Sequence, residues 1–178
     1  MRTKTRPMHP HHHTRTQCFI ILNDIQVGAT ATISNSLKPV WEDEVFDITL
    51  PEKGFDTCEV RVEIWDMDVA GKGSLLGQVV LTGPQLLGLG GETVGYNLVA
   101  KTEEAHKKKK KKQNKYVGGL IKFAGSVRDP ENCYSGIKPV HFIHKPTLIL
   151  KIVKATGLKK AGEKEGESMS LCTVCTGE

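Results

Sequence analysis

The chain has 178 residues, of which 38% are hydrophobic and 25% charged, and a formal net charge of +5. This composition excludes a wholly disordered chain and fits one ordinary globular domain with extensions. Aromatic content is only 6%, so the core must rest on Val, Ile and Leu.

Charge is spread unevenly. Glu42, Asp43, Glu44, Asp47, Glu52, Asp56, Glu59, Glu63, Asp66 and Asp68 make residues 41–68 acidic, whereas residues 107–115 are strongly basic. Such asymmetry points to an anionic partner, a lipid headgroup or a nucleic acid. The five cysteines are odd in number and form no regular framework. No secretory apolar region opens the chain, and the early apolar run at residues 18–22 is far too short to span a bilayer. A reducing, cytoplasmic setting is expected, with any membrane contact peripheral.

Residues 1–16 read as a disordered basic leader. Its histidines, His9 and His11 to His13, fit a solvated tail better than a metal site. Short strands follow. Residues 18–22 are apolar and β-rich, Asn23 and Asp24 supply a turn, and residues 30–33 form the next strand. A loop covers residues 34–39, where Pro39 forces Lys38 out of helical geometry. Phe46, Ile48 and Leu50 alternate with Asp47 and Thr49, and Val60, Val62 and Ile64 alternate with Arg61 and Glu63, the pattern of half-buried strands. Residues 75–81 are another strand, 83–95 a glycine-rich connection, and 96–99 and 120–124 close the series. Regular short strands without a long period of 3.6 predict an all-β antiparallel sandwich or barrel.

Residues 103–115 contain six consecutive lysines, Lys107, Lys108, Lys109, Lys110, Lys111 and Lys112, and read as a self-repelling loop. Residues 125–146 read as a linker. Residues 148–153 form a strong strand after it, and 171–176 one more.

The principal site candidate is the sequence Trp65-Asp66-Met67-Asp68, where a half-buried strand runs out into a loop. Residues two apart on a strand point the same way, so Asp66 and Asp68 present two carboxylates on one side. Such a pair suits Ca²⁺, which takes six to eight oxygen ligands in irregular geometry. Two carboxylates leave that shell incomplete, and spacing alone favours two solvated loop aspartates. The same pair could act as general acid and base, but no compatible His, Ser or Cys constellation accompanies it, and no enzyme is expected. Cys172 and Cys175 have CxxC spacing, but zinc sites pair two such elements, so a strand is the better reading. The lysine run suits an anionic leaflet; without interleaved aromatics for base stacking, nucleic acid is the weaker partner.

Four stretches resemble the C2 domain family. Cys18-Phe-Ile-Ile-Leu-Asn-Asp24 is similar to its second strand and turn. Asn35-Ser-Leu-Lys-Pro-Val-Trp41, followed by Glu42, resembles its N-x-L-x-P-x-W loop. Residues 60–68 resemble the strand ending in W-D-x-D, and Leu75-Leu76-Gly77 the F-L-G after it. The resemblance covers roughly residues 17–124 and implies a C2-like β-sandwich that docks on anionic phospholipids. It further implies a Ca²⁺ site formed by Asp66 and Asp68, with Ser74 and the Met67 carbonyl as minor ligands, and lipid contacts from the lysines at 107–112. Ser74 stands where the family usually has a further aspartate, so the implied site is incomplete and Ca²⁺ dependence weak or partial. The family also includes modules that bind proteins without calcium, which is the alternative. Oligomeric state is left open.

The family's first strand and first loop should precede Cys18, yet Thr14-Arg15-Thr16-Gln17 stands where S-D-P-Y is expected. Residues 147–158 resemble that missing strand instead. Ser168-Met169-Ser170-Leu171-Cys172 then occupies the S-D-P-Y-C position, with Gly162 and Met169 where loop aspartates belong. Two readings follow: residues 147–178 begin a second C2-like domain of a tandem protein, or the strand pairs back and completes the first sandwich. Strand parity places the loops at 34–41, 69–74 and 101–118 at one end, with the lysines beside Asp66 and Asp68.

Overall fold

A computed structural model of the chain describes residues 14–68, 71, 73–100, 117–129 and 145–159. They form two antiparallel sheets packed face to face, as the alternating residues predict. The first sheet contains β1 (Arg15–Leu22), β2 (Ile25–Ala29), the short β3 (Ile33–Ser34), β5 (Glu59–Met67) and β6 (Gly73–Thr82). Its order is β2-β1-β5-β6, with β3 pairing the start of β1. The second contains β4 (Val40–Thr49), β7 (Gly90–Asn97), β8 (Leu120–Arg128) and β9 (Thr147–Thr156), in the order β4-β9-β8-β7.

The late strand therefore lies inside this sandwich. β9 pairs antiparallel with β4 on one side (Phe46 opposite Leu150, Ile48 opposite Leu148) and with β8 on the other (Phe123 opposite Ile152). Leu148, Leu150 and Ile152 are fully buried and join Ile20, Val60, Val62, Ile64, Ile121 and Phe123 in one core. Burial of each such side chain contributes roughly 1.5–3 kcal/mol. Without β9, both β4 and β8 would expose an unpaired backbone edge over this core.

Several boundaries differ from the sequence expectation. β1 starts at Arg15, inside the stretch read as leader, and Thr16 is buried. The strand expected at residues 30–33 is instead β2 at Ile25–Ala29, plus the two-residue β3. Asn23 and Asp24 both have positive φ (46° and 67°), the geometry of a two-residue hairpin turn, so the chain reverses at once and pairs back on β1. The connection at 83–95 contains a short helix, α1 (Gly83–Leu87), and most of β7. Thr82 and Gln85 form a capping box there, with Pro84 in the first turn. Gly83 is required: a Cβ would lie 2.0 Å from the Phe55 carbonyl oxygen. The region read as linker begins within β8, which continues to Arg128. The strand expected at 171–176 lies outside the described residues.

An ionic cluster stabilises the outer face of the first sheet. Arg61 on β5 bonds Glu59 (2.7 Å) and Asp24 (2.8 Å), and its Nε lies 3.5 Å from Glu63, whose side chain is only 3% exposed. Trp65 Nε1 donates to Glu63 at 2.9 Å, and the Trp65 ring meets Phe19 edge-on. The Glu59 carboxylate, helped by Asp24, holds the Arg61 guanidinium charged. Cys18 and Cys58 are buried and free, and burial pushes both thiols up, so they act as small core residues and not as redox groups.

Leu150→Ala should destabilise the fold by about 2–5 kcal/mol in urea unfolding, as a cavity in a closed core requires. A loss comparable to that of the half-exposed Ile149→Ala would contradict the central place of β9.

Candidate functional site

Register fixes which loops meet. In the first sheet Thr16 lies opposite Asp66, Asp66 opposite Ser74, and Arg15 opposite Ser34. In the second, Asn97 lies opposite Leu120, Leu120 opposite Thr156, and Val40 opposite Lys154. The 35–39 loop joins the two sets: the Asn35 N–H donates to the Thr14 carbonyl at 2.6 Å, and the Ala155 N–H to the Pro39 carbonyl at 3.0 Å. One end of the sandwich therefore carries the 35–39 loop, the end of β5 beside Asp68, the start of β6 at Gly73 and the Thr156–Gly157 turn. Leu98 donates to Gly119 at this end, and Val99 bridges antiparallel to Gln78 on β6, which directs Ala100 toward the Ser74 end of that strand. The chain thus leaves at Ala100 and returns at Val117 beside this loop end. The lysines at 107–112 lie outside the described residues.

Asp66 occupies the inward row of β5 that begins with Val60, Val62 and Ile64. Its Oδ1 accepts the Arg15 backbone N–H at 2.9 Å. Asp68 follows one residue beyond the strand, where its carbonyl accepts the Gly71 N–H at 3.2 Å and closes the turn. Met67 pairs with Gly73, and a Cβ on Gly73 would lie 2.8 Å from the Met67 sulfur. The arrangement brings Asp66 and Ser74 onto adjacent strands, with Asp68 at the loop mouth. Asp66, Asp68 and the exposed Ser74 supply too few oxygens for Ca²⁺, and one Asp66 oxygen already serves the backbone of β1. Among the described residues no three or more His, Cys, Asp or Glu side chains converge as a metal would need. The residues present do not fit a self-sufficient calcium site.

The exposed surface at this end is apolar as well as charged. Leu37 is 37% exposed, Val40 52% and Val99 51%, and Lys38 stands beside Leu37. Lys159 lies against Gly118, whose added Cβ would come within 3.5 Å of its Cε.

A second cationic feature escaped sequence inspection. Lys122 on β8 and Lys154 on β9 are direct register partners. A shift between Lys122 and Phe123 leaves Val153 as the extra residue, which turns Lys154 to the same outer face as Lys122. Alternation by itself would place Lys154 with the inward row of Leu148, Leu150 and Ile152, so only the bulge exposes the pair. Neither ammonium has an ion pair among the described residues, whereas Lys151 lies 4.0 Å from Asp43. Like charges directly opposite cost roughly 0.2–1 kcal/mol.

Among the described residues no helix is long and apolar enough to cross a membrane. No curated protein and no solved structure matches the chain. A family model described as the C2 domain matches residues 4–98, just over half of the chain, and spans all four motif-bearing stretches. The matched residues supply the whole first sheet and strands β4 and β7 of the second, and the chain belongs to the C2 domain family.

Proposed function

We propose that the chain is a non-enzymatic, peripheral membrane-binding module that docks the loop end of its sandwich on anionic phospholipids, with weak or partial dependence on Ca²⁺. The family commonly binds membranes or proteins. The observation that carries the membrane reading is the place where the chain leaves and re-enters the fold. Ala100 and Val117 bracket the lysine-rich segment at the end that presents Leu37, Val40 and Val99.

Lys107, Lys108, Lys109, Lys110, Lys111 and Lys112 would bind headgroups electrostatically. Each lysine near an anionic leaflet contributes about 1 kcal/mol, so six outweigh two aspartates of opposite effect. Exposed aliphatic side chains at the same end would add apolar contact with the interface. Asp66, Asp68 and Ser74, with the Met67 carbonyl, would ligate Ca²⁺ only where lipid phosphates complete the shell. Residues 147–178 would belong to this unit through β9, and a tandem arrangement in a longer protein of membrane trafficking or lipid signalling is compatible with it. A cytoplasmic, membrane-peripheral location follows from this function.

Protein contact without calcium is the second reading. Edge strand β2 favours it, because Ile25 is 68% and Val27 41% exposed beside an open backbone edge. Binding of a protein with no affinity for any vesicle would select this reading.

Cosedimentation with phosphatidylserine vesicles should persist in chelator and fall steeply as salt is raised. Replacing the lysines at 107–112 by Gln should weaken it more than a hundredfold. Binding that vanishes in chelator and ignores those lysines would overturn the proposal. Asp66→Asn with Asp68→Asn should leave chelator-insensitive binding unchanged or raise it severalfold, because two like charges are removed from the docking end. A large loss in that variant without Ca²⁺ would count against this orientation.

A further inference from the structure

We propose that the outer face of the first sheet is a docking surface for a segment of a partner protein that combines apolar side chains with arginine or lysine, one of whose cations seats on the Trp65 ring. The surface runs down the side of the sandwich, away from the loop end, and does not depend on the membrane reading.

The face lacks the chemistry of a solvated surface. Along β5, Arg61, Glu63 and Trp65 alternate with the core row of Val60, Val62 and Ile64. Register builds three outer rows on them: Ile21, Arg61 and Val80; Phe19, Glu63 and Gln78; Gln17, Trp65 and Leu75. Phe19, Ile21, Trp65, Leu75 and Val80 are half-buried and form one apolar surface over three strands. Val99, which bridges to Gln78, extends it and is 51% exposed. β1 runs Phe19-Ile20-Ile21-Leu22 and β6 Val79-Val80-Leu81 without polar alternation, the pattern of strands covered on both faces. The outer face of the second sheet is mostly polar instead, with Asp47, Lys122, Ser126 and Lys151.

Charge and geometry identify the occupant. One guanidinium, Arg61, stands against the carboxylates of Asp24, Glu59 and Glu63, which leaves the face a formal charge of −2. The side chain of Asp24 is 86% exposed and that of Glu59 41%, so both can also meet a cation from outside the fold. Trp65 packs on the β6 backbone, where a Cβ on Gly73 would come within 3.1 Å of its Cε3, and it meets Phe19 edge-on. Its other face is turned to solvent. The Nε1–H bond to Glu63 at 2.9 Å makes that face more negative, and a cation over such a ring is attracted by its quadrupole. Gln78 is 5% exposed, and its Oε1 accepts no hydrogen bond among the described residues. A guanidinium or ammonium from a partner supplies the missing donor. Two copies of this face would set like charge against like, and an anionic leaflet would be repelled. A cationic, partly apolar protein segment is the complement that remains.

The probe is a labelled peptide of about a dozen residues in which arginine alternates with leucine, titrated into the full chain without vesicles and followed by fluorescence anisotropy. The wild type should bind it, and should not bind the same peptide with glutamate in place of arginine. Serine in place of leucine should weaken binding about tenfold or more. Trp65→Leu, which keeps an apolar cover, should weaken it about tenfold. Asp24→Asn with Glu59→Gln should weaken it severalfold. Glu42→Gln with Asp43→Asn, both exposed on β4, should change nothing. Thermal melting shows whether the Trp65 variant is folded; where it is not, the variant at the two exposed carboxylates decides.

An equal loss in the β4 variant, no loss in either face variant, or equal binding of the glutamate peptide would overturn the inference. So would failure of the wild type to bind the arginine peptide. Self-association of the wild type that Trp65→Leu abolishes would assign the face to a second copy and overturn the partner assignment. Every outcome is read without lipid, so failure here leaves the membrane proposal in place.

Discussion

The insertion of β9 between β4 and β8 is the constraint on which the rest of the structure depends. Residues 14–128 contain the whole first sheet but only three strands of the second, with a gap at its centre. β9 fills that gap with hydrogen bonds on both sides and with three fully buried aliphatic side chains. Arg128 and Thr147 are direct partners, so the intervening chain has only to return to its own starting point. Its length adds little cost, because loop-closure entropy grows slowly with loop size.

The same insertion shapes the functional end. In a sandwich whose first strand leads into its second, a loop would join them and add ligands near Asp66. Here the two strands are β9 and β1, and they are not consecutive. β9 runs out through Thr156 to Lys159, while β1 enters through Thr14. The Arg15 N–H binds Asp66 directly, which assigns that carboxylate a structural acceptor role at the head of β1. The balance at this end moves from metal coordination toward fixed positive charge. Lys38 and Lys159 lie on it, and Lys122 and Lys154 stand just below it.

Much of this was legible in the sequence. Alternation at Val60, Val62 and Ile64 gave the right strand and the right buried face. Parity placed the three loops at one end, as register now does for their described anchor points. The Asn23-Asp24 turn was visible, but Gly28 and Ala29 are weak strand formers, so the returning strand was placed too late. α1 was missed because five residues are too few for a helical period, although Thr82, Pro84 and Gln85 carry its start signal. The Lys122–Lys154 pair was out of reach, since it depends on a bulge and on pairing between distant segments. So was the Arg61 cluster: Glu59 and Glu63 read as net charge and Asp24 as a turn residue, whereas all three surround one guanidinium within the fold.

The central claim is that the loop end faces an anionic membrane. Hydrogen–deuterium exchange on the full chain, with and without phosphatidylserine vesicles in chelator, tests it without altering a residue. Slower exchange should appear at residues 34–40, 66–74 and 97–120, with no change at 23–24 and 51–58 at the opposite end. Protection confined to that opposite end, or to β2 and its exposed edge, would contradict the account.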